Sequence, residues 1–271
     1  MPRAAAGLLL LVALSACRSG DDVATDADGE LVRGRLEATD VETRAVRLDG
    51  RTLVLDGFAG TVTLTADASA TEVSAQFTRR ARGATEASAR ERLADVTLEE
   101  AGDGELYQYV WRTRLDAGAS VDAEVTLPPG AAIVLRLGAG TLQATGLTGS
   151  LDAEVGAGTA TLDSTSLSAL RLDVGSGTVA VDAVRVPTGA AWTLETGAGT
   201  ITLGLPARAS VRVDARTAAG GVSAQGLAFT DERLSGGPAD RRFRGTLGTG
   251  AASVEASTGA GAITLRRTGA E

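Results

Sequence analysis

Gly-X-Gly triplets with a small central residue recur at near-regular spacing through the second half of this chain: Gly138-Ala139-Gly140, Gly156-Ala157-Gly158, Gly175-Ser176-Gly177, Gly197-Ala198-Gly199 and Gly259-Ala260-Gly261. A degenerate copy, Ala218-Ala219-Gly220, falls between the last two. Successive spacings are 18, 19, 22, 21 and 41 residues, so the final gap spans two repeats. A fixed period near 20 is the mark of a stacked repeat, in which each unit buries its apolar face only against its neighbours.

Alternation runs outward from each triplet. Before it stand Leu135/Leu137, Ala153/Val155, Leu172/Val174, Leu194/Thr196, Ala215/Thr217 and Ala256/Thr258. After it stand Leu142/Ala144, Ala160/Leu162, Val179/Val181, Ile201/Leu203, Val222/Ala224 and Ile263/Leu265. A period of two is the strand signature. The step across each triplet is odd, which would flip the facing of a straight strand. The triplet must therefore be a corner or bulge that restores the inward face, and glycine suits it by permitting unusual φ/ψ and close backbone approach. The expected fold is all-β: a right-handed, parallel β-solenoid-like repeat. Six coils stacked at about 4.8 Å would rise roughly 29 Å. A phosphate-cradling glycine loop would need a following helix, and the sequence indicates none there.

Residues 46–130 are less regular. Leu53/Leu55, Val62/Leu64 and Val73/Ala75/Phe77 alternate, and strands are expected again at 96–98, 106–112 and 121–127. Between them, residues 84–94 read as a short helix with Thr85 as N-cap. Pro128-Pro129-Gly130 marks a stop. Residues 230–242 read as a polar loop. Together these predict a single β-strand-repeat domain over 46–267, irregular to 130 and regular from 131.

The N-terminus has a different character. Arg3 precedes a run from Ala4 to Ala16 that is apolar except for Ser15, too short to span a hydrocarbon core of roughly 30 Å. This is the shape of a secretory signal peptide over residues 1–16. Leu14-Ser15-Ala16-Cys17 fits the lipobox of bacterial lipoproteins and contains the chain's single cysteine. Cleavage between Ala16 and Cys17 would leave Cys17 to carry acyl chains, palmitate among them, and several chains give stable anchoring where one is marginal. Arg18 is not the Asp that enteric-type sorting uses for inner-membrane retention. A two-membrane cell would therefore send the protein to its outer membrane. Residues 17–45 are acidic and poor in large apolar side chains, which predicts a flexible tether about 30 Å across its ends.

Composition closes off several chemistries. The chain has no His, no Lys and no Asn among its 271 residues. Histidine acid–base catalysis and His- or Cys-based zinc sites are excluded. A net charge of −8 argues against nucleic acid as a partner. No cofactor is expected.

The motifs resemble those of a family of exported bacterial β-strand-repeat proteins that carry the name "putative adhesin" and have no known function. The likeness covers about 46–267. It rests on Phe58-Ala59-Gly60-Thr61-Val62, Val125-Thr126-Leu127-Pro128-Pro129-Gly130, the Gly-X-Gly-Thr units, and Phe243-Arg244-Gly245 before Thr258-Gly259-Ala260-Gly261. The resemblance implies a surface β-solenoid and carries over no catalytic residue.

Two candidate faces remain. With coils stacked in chain order, one outward column would read Arg136, Glu154, Asp173, Glu195, Arg216, Ser257. Glu154, Asp173 and Glu195 would lie about 5 Å apart and repel one another unless compensated. A hard cation such as Ca²⁺ takes oxygen ligands, and Arg171 in the next column offers a simpler remedy. Tyr107, Tyr109 and Trp111 share one strand face, either exposed for contact with sugar rings or buried as a cap on the open coil end. Trp192 falls on the inward set and reads as core. The functional expectation is a non-catalytic, lipid-anchored envelope protein presenting its solenoid to a protein or glycan partner. The alternatives are an envelope-stress or structural accessory acting by protein assembly, and a carboxylate-dependent enzyme on polysaccharides.

Overall fold

The corner decides the architecture. In the computed structural model, which describes residues 23–25, 31–33, 36–114, 118–237 and 240–268, the second glycine of every triplet has φ between 139° and 148°. That region is open essentially to glycine alone. A Cβ on Gly140, Gly158, Gly177, Gly199 or Gly261 would fall 1.7–1.9 Å from the corner carbonyl of the coil beneath. On the first glycines, Gly138, Gly156, Gly175, Gly197 and Gly259, it would fall 2.4–2.6 Å from a carbonyl in that coil. Two rows of glycines therefore let the coils pack backbone to backbone at each corner.

In chain order the elements are β1 (Val23–Thr25), β2 (Leu31–Arg33), β3 (Leu36–Val46), β4 (Thr52–Ala66), β5 (Val73–Gly83), α1 (Glu86–Ala94), β6 (Val96–Gly102), β7 (Leu106–Thr113) and β8 (Ala119–Leu127). There follow β9 (Ala132–Thr145), β10 (Ser150–Thr165), β11 (Ala169–Ala183), β12 (Ala191–Leu205), β13 (Val211–Gln225), β14 (Thr230–Gly237), β15 (Asp240–Leu247) and β16 (Ala252–Arg267). β1 and β2 pair only with each other, and the remaining strands form one sheet. Each long strand bends at its corner into a first arm and a second arm. Leu147 and Leu167, both buried, fill the third side of the coil. Hydrogen bonds such as Ser166 N–H to Leu147 O and Ser168 N–H to Gly149 O, both 2.9 Å, link successive coils there.

The expected all-β solenoid is present, with parallel, in-register pairing through β4, β9, β10, β11, β12, β16 and β13. Two details differ from expectation. First, there are seven coils, because β4 is a coil as well: Gly60 pairs with Gly140 and has φ 135°. Its first corner position is Phe58 instead of Gly. β7 pairs with the first arm of β4 only up to Gly57, and β8 with the second arm only from Val62. Among the described residues no parallel strand pairs on that side at Phe58, so a side chain fits. Second, the stacking order departs from chain order at the end: β16 inserts between β12 and β13.

The ends are built differently from the coils. On the N-terminal side the second arm of β4 is continued by β8, β5 and β3, and the first arm by β7 and β6. Residues 36–45, expected to belong to the tether, are instead part of β3, paired antiparallel with β5 over eleven residues. The alternation test misses β3 because none of its side chains is fully buried. Helix α1 begins where expected, with Thr85 accepting from Ser88 N and Ser88 Oγ accepting from Thr85 N. On the C-terminal side, the expected polar loop is the hairpin β14–β15, antiparallel to the first arm of β13.

The core is continuous from Leu48 to Leu265. Through the central coils it is aliphatic apart from Trp192. Towards the C-terminal end the inward position before the corner changes from Leu or Val to Thr. The hydroxyls of Thr258 and Thr217 donate to the corner carbonyls of Gly199 and Gly261. Trp192 is buried, as expected, with its indole N–H on Leu167 O at 3.0 Å.

Candidate functional site

The first arms present their outward residues as straight columns, because the coils pair in register. One column runs Asp56, Arg136, Glu154, Asp173, Glu195, Ser257, Arg216, and antiparallel pairing adds Arg242. The adjacent column runs Val54, Val134, Asp152, Arg171, Thr193, Glu255, Asp214, then Arg244. The expected contact of Glu195 with Arg216 is thus corrected: the inserted strand β16 places Ser257 between them. Ser257 is small, and a cleft of about 110 Å³ opens there, lined by Glu195, Arg216, Arg242, Asp214 and Glu255.

Glu154, Asp173 and Glu195 do stand on consecutive coils. Arg171 lies 3.9 Å from each of Asp152, Asp173 and Glu195, so one guanidinium offsets the repulsion within the acidic row. Further along, Arg242 and Arg244 both hold Asp214. The Arg242 hydrogen bond keeps the Asp214 carboxyl below the usual carboxylate range, with Arg244 adding to the effect and partial burial opposing it. At the other end Arg112 pairs with Asp56 at 2.9 Å. The face is a mixed-charge ladder, an acidic row with arginines beside it and at both ends.

Beside these columns the first outward position of β4, β9, β10, β11 and β12 is small: Thr52, Ala132, Ser150, Ala169, Ala191. The result is a groove of about 370 Å³ that crosses five coils, with Asp152, Arg171 and Thr193 along its rim. Five coils at about 4.8 Å give it a length of roughly 19 Å. The small residues that form it were the available signal, one in each repeat, and they carry no chemistry that would single them out in a sequence.

The aromatic trio is not a contact surface. Tyr109 and Trp111 are fully buried and Tyr107 is 9% exposed. They pack with Phe77, at ring centroid distances of 5.0 Å to Tyr109 and 5.9 Å to Trp111. The reason is register: Tyr107, Tyr109 and Trp111 pair with Leu53, Leu55 and Gly57 of β4, the inward set of the first coil. Gly57 has no side chain, and the Trp111 indole occupies its place; a Cβ there would sit 1.8 Å from the ring. Burial pushes the Tyr109 hydroxyl well above the usual phenol range. The Tyr107 hydroxyl donates to Glu100.

A second depression lies where the second arms end. Arg266 reaches across the intervening coil to Asp182 at 2.6 and 2.7 Å. That bridge needs Gly204 between them, since a Cβ there would lie 2.0 Å from Asp182 Oδ1.

The expected signal peptide over residues 1–16, the expected lipobox and Cys17 lie outside the described residues. No helix among the described residues is long and apolar enough to cross a membrane, and none of their His, Cys, Asp or Glu side chains cluster as a metal site would require.

The sequence matches no protein-family model and no curated protein. Solved structures do match. A "putative cell adhesion protein" from Clostridium sporogenes aligns with TM-score 0.51 at 15% identity, covering 85% of this chain and all of that one. What the two share is the fold. A "putative adhesin" from Bacteroides fragilis aligns with TM-score 0.36 at 12% identity, over 84% of this chain and 97% of that one.

Proposed function

We propose that this chain is a non-catalytic, lipid-anchored protein of the cell envelope, adhesin-like, that binds a protein partner along the first-arm groove. The groove across five coils carries this reading, since it is long, shallow and rimmed by both signs of charge. An extended polypeptide suits such a surface. The Clostridium protein with the same fold is named for cell adhesion, which supports the class. A glycan partner is the weaker alternative, because Tyr107, Tyr109 and Trp111 are buried and cannot stack on sugar rings. Asp152, Asp173, Glu195 and Asp214 on the face are paired with arginines, which suits recognition better than acid–base chemistry. The lipobox at Cys17 supplies the anchor, and Arg18 favours the outer membrane where two membranes exist.

A photo-reactive residue at Ala169, in the groove, tests the reading on intact cells. Thr178, exposed on the second arm, is the control position. Protein adducts at 169 and none at 178 support the proposal. Adducts at both positions, at neither, or only with glycan overturn it. The anchor has its own test: Cys17→Ala should release a soluble, folded protein, and retention in the membrane would overturn the lipid assignment.

A further inference from the structure

The C-terminal end of the solenoid is left open on one side. The hairpin β14–β15 covers β13 only over residues 211–217. Residues 219–225, the second arm, pair with β16 on their inner side. Among the described residues no strand pairs with their outer side. The core thins there too: Val222 is still buried, but the next inward residue is not. Ala224 stands at the inward position that is buried in the coils as Ala144, Leu162, Val181, Leu203 and Leu265, yet Ala224 is exposed.

Natural sheets guard such edges with charges, proline or a covering segment. Among the described residues this edge has no pairing strand on its outer side, and its own sequence, residues 218–229, supplies neither charge nor proline. The charge lies elsewhere and differs between the two ends. Residues 206–268 hold nine arginines against five acids. Residues 36–127, which build the opposite end, hold seventeen acids against ten arginines. The outermost strand there on the second-arm side is β3. Among the described residues it is paired on one side only, and it exposes Leu36 at 50% and Val41 at 55%.

We infer that copies of this chain associate head to tail, the open edge 219–225 of one adding as a strand to β3 of the next. The occupant is a second copy because the charges select it. Two C-terminal ends meeting would oppose like charge, whereas a basic end on an acidic end attracts. Such an interface is heterologous and leaves a free edge at each end, so it propagates as a filament and does not close into a dimer. Backbone pairing supplies the register-free contact, and the charge supplies orientation and salt sensitivity.

The inference is independent of the groove and its partner. It is tested by sedimentation velocity on the chain from Ser19 onward, which retains the whole core from Leu48 to Leu265. The expected result is species growing with concentration from monomer through open-ended oligomers, weakened by salt. Ala224→Lys and Val41→Lys alter exposed positions, so melting temperatures should hold while association weakens at least tenfold in each. Mixed together, the two variants retain one intact pair of edges and should stop at a heterodimer. Monomer under all conditions overturns the inference. So does a closed dimer sensitive to Ala224→Lys and indifferent to Val41→Lys, which would mean two C-terminal edges meeting.

Discussion

The central coils and the N-terminal end of this molecule solve the same packing problem with different materials. From β9 to β12, and again in β16, the corner is two glycines stacked on carbonyls, the pairing is parallel, and the core is aliphatic apart from Trp192. From β3 to β8 the pairing is largely antiparallel, and Phe77, Tyr109 and Trp111 fill the interior. A coil between two like coils can be made of backbone contacts, since the neighbour presents the same shape. The first coil has no like coil beneath it and needs large side chains to fill what remains. Gly57 shows the exchange directly: it gives up the inward side chain of its coil, and Trp111 from a neighbouring strand takes that volume.

Breaking the glycine ladder should have the largest effect. Gly177→Ala brings a Cβ to 1.7 Å from the Gly158 carbonyl at a φ of 145°. The expected loss is on the order of 3 kcal/mol or more. Ser176→Ala, at the exposed middle position of the same triplet, should stay within about 0.5 kcal/mol. Equilibrium denaturation of the two variants separates them, and an equal effect would mean that the corner is not what holds the coils. Those corners were legible as bulges from the odd step across each triplet, since local alternation records them residue by residue. Which coil neighbours which was not legible. Thr196, Thr217 and Thr258 occupy equivalent inward positions, and any Gly-X-Gly coil can pair with any other.

Next comes the aromatic cap. Trp111→Ala should cost about 3–5 kcal/mol. Gly57→Ala should be strongly destabilising in the native chain and far milder in the Trp111→Ala background, because the three atoms nearest the added Cβ all belong to the indole. Additive losses in that double-mutant cycle would break the volume-exchange account. The three aromatics were readable as one strand face. Whether that face turned inward depended on β7 pairing in parallel with β4, a contact between residues about fifty positions apart.

The smallest effect concerns the charged ladder near the C-terminal end. The Asp214 carboxyl is held below its usual range, chiefly by the Arg242 hydrogen bond. Its stabilisation is therefore full above an unfolded-state value of about 4 and is lost as pH falls from there through the lower folded value. Asp214→Asn should remove that part of the acid limb of the stability–pH curve and cost about 1 kcal/mol or less at neutral pH. An acid limb unchanged by the substitution would show that the pair contributes nothing. The acidic row Glu154, Asp173, Glu195 was legible because those coils are consecutive both in chain and in space. The neighbourhood of Asp214 was not, because the hairpin β14–β15 that supplies Arg242 and Arg244 lacks a sustained alternation of apolar residues.

Sequence alone determined the coil: its length, its glycine corner, and the side chains that turn inward, including Trp192. Each of these follows from steric limits on φ/ψ and from a two-residue period, both written within one repeat. Tertiary structure decided the rest: β16 slipping between β12 and β13, β3 joining the sheet from an acidic segment, and the groove formed by one small residue per coil. Those outcomes depend on backbone hydrogen bonding between distant segments. Backbone groups are the same in every residue, so side-chain pattern does not specify which edges meet.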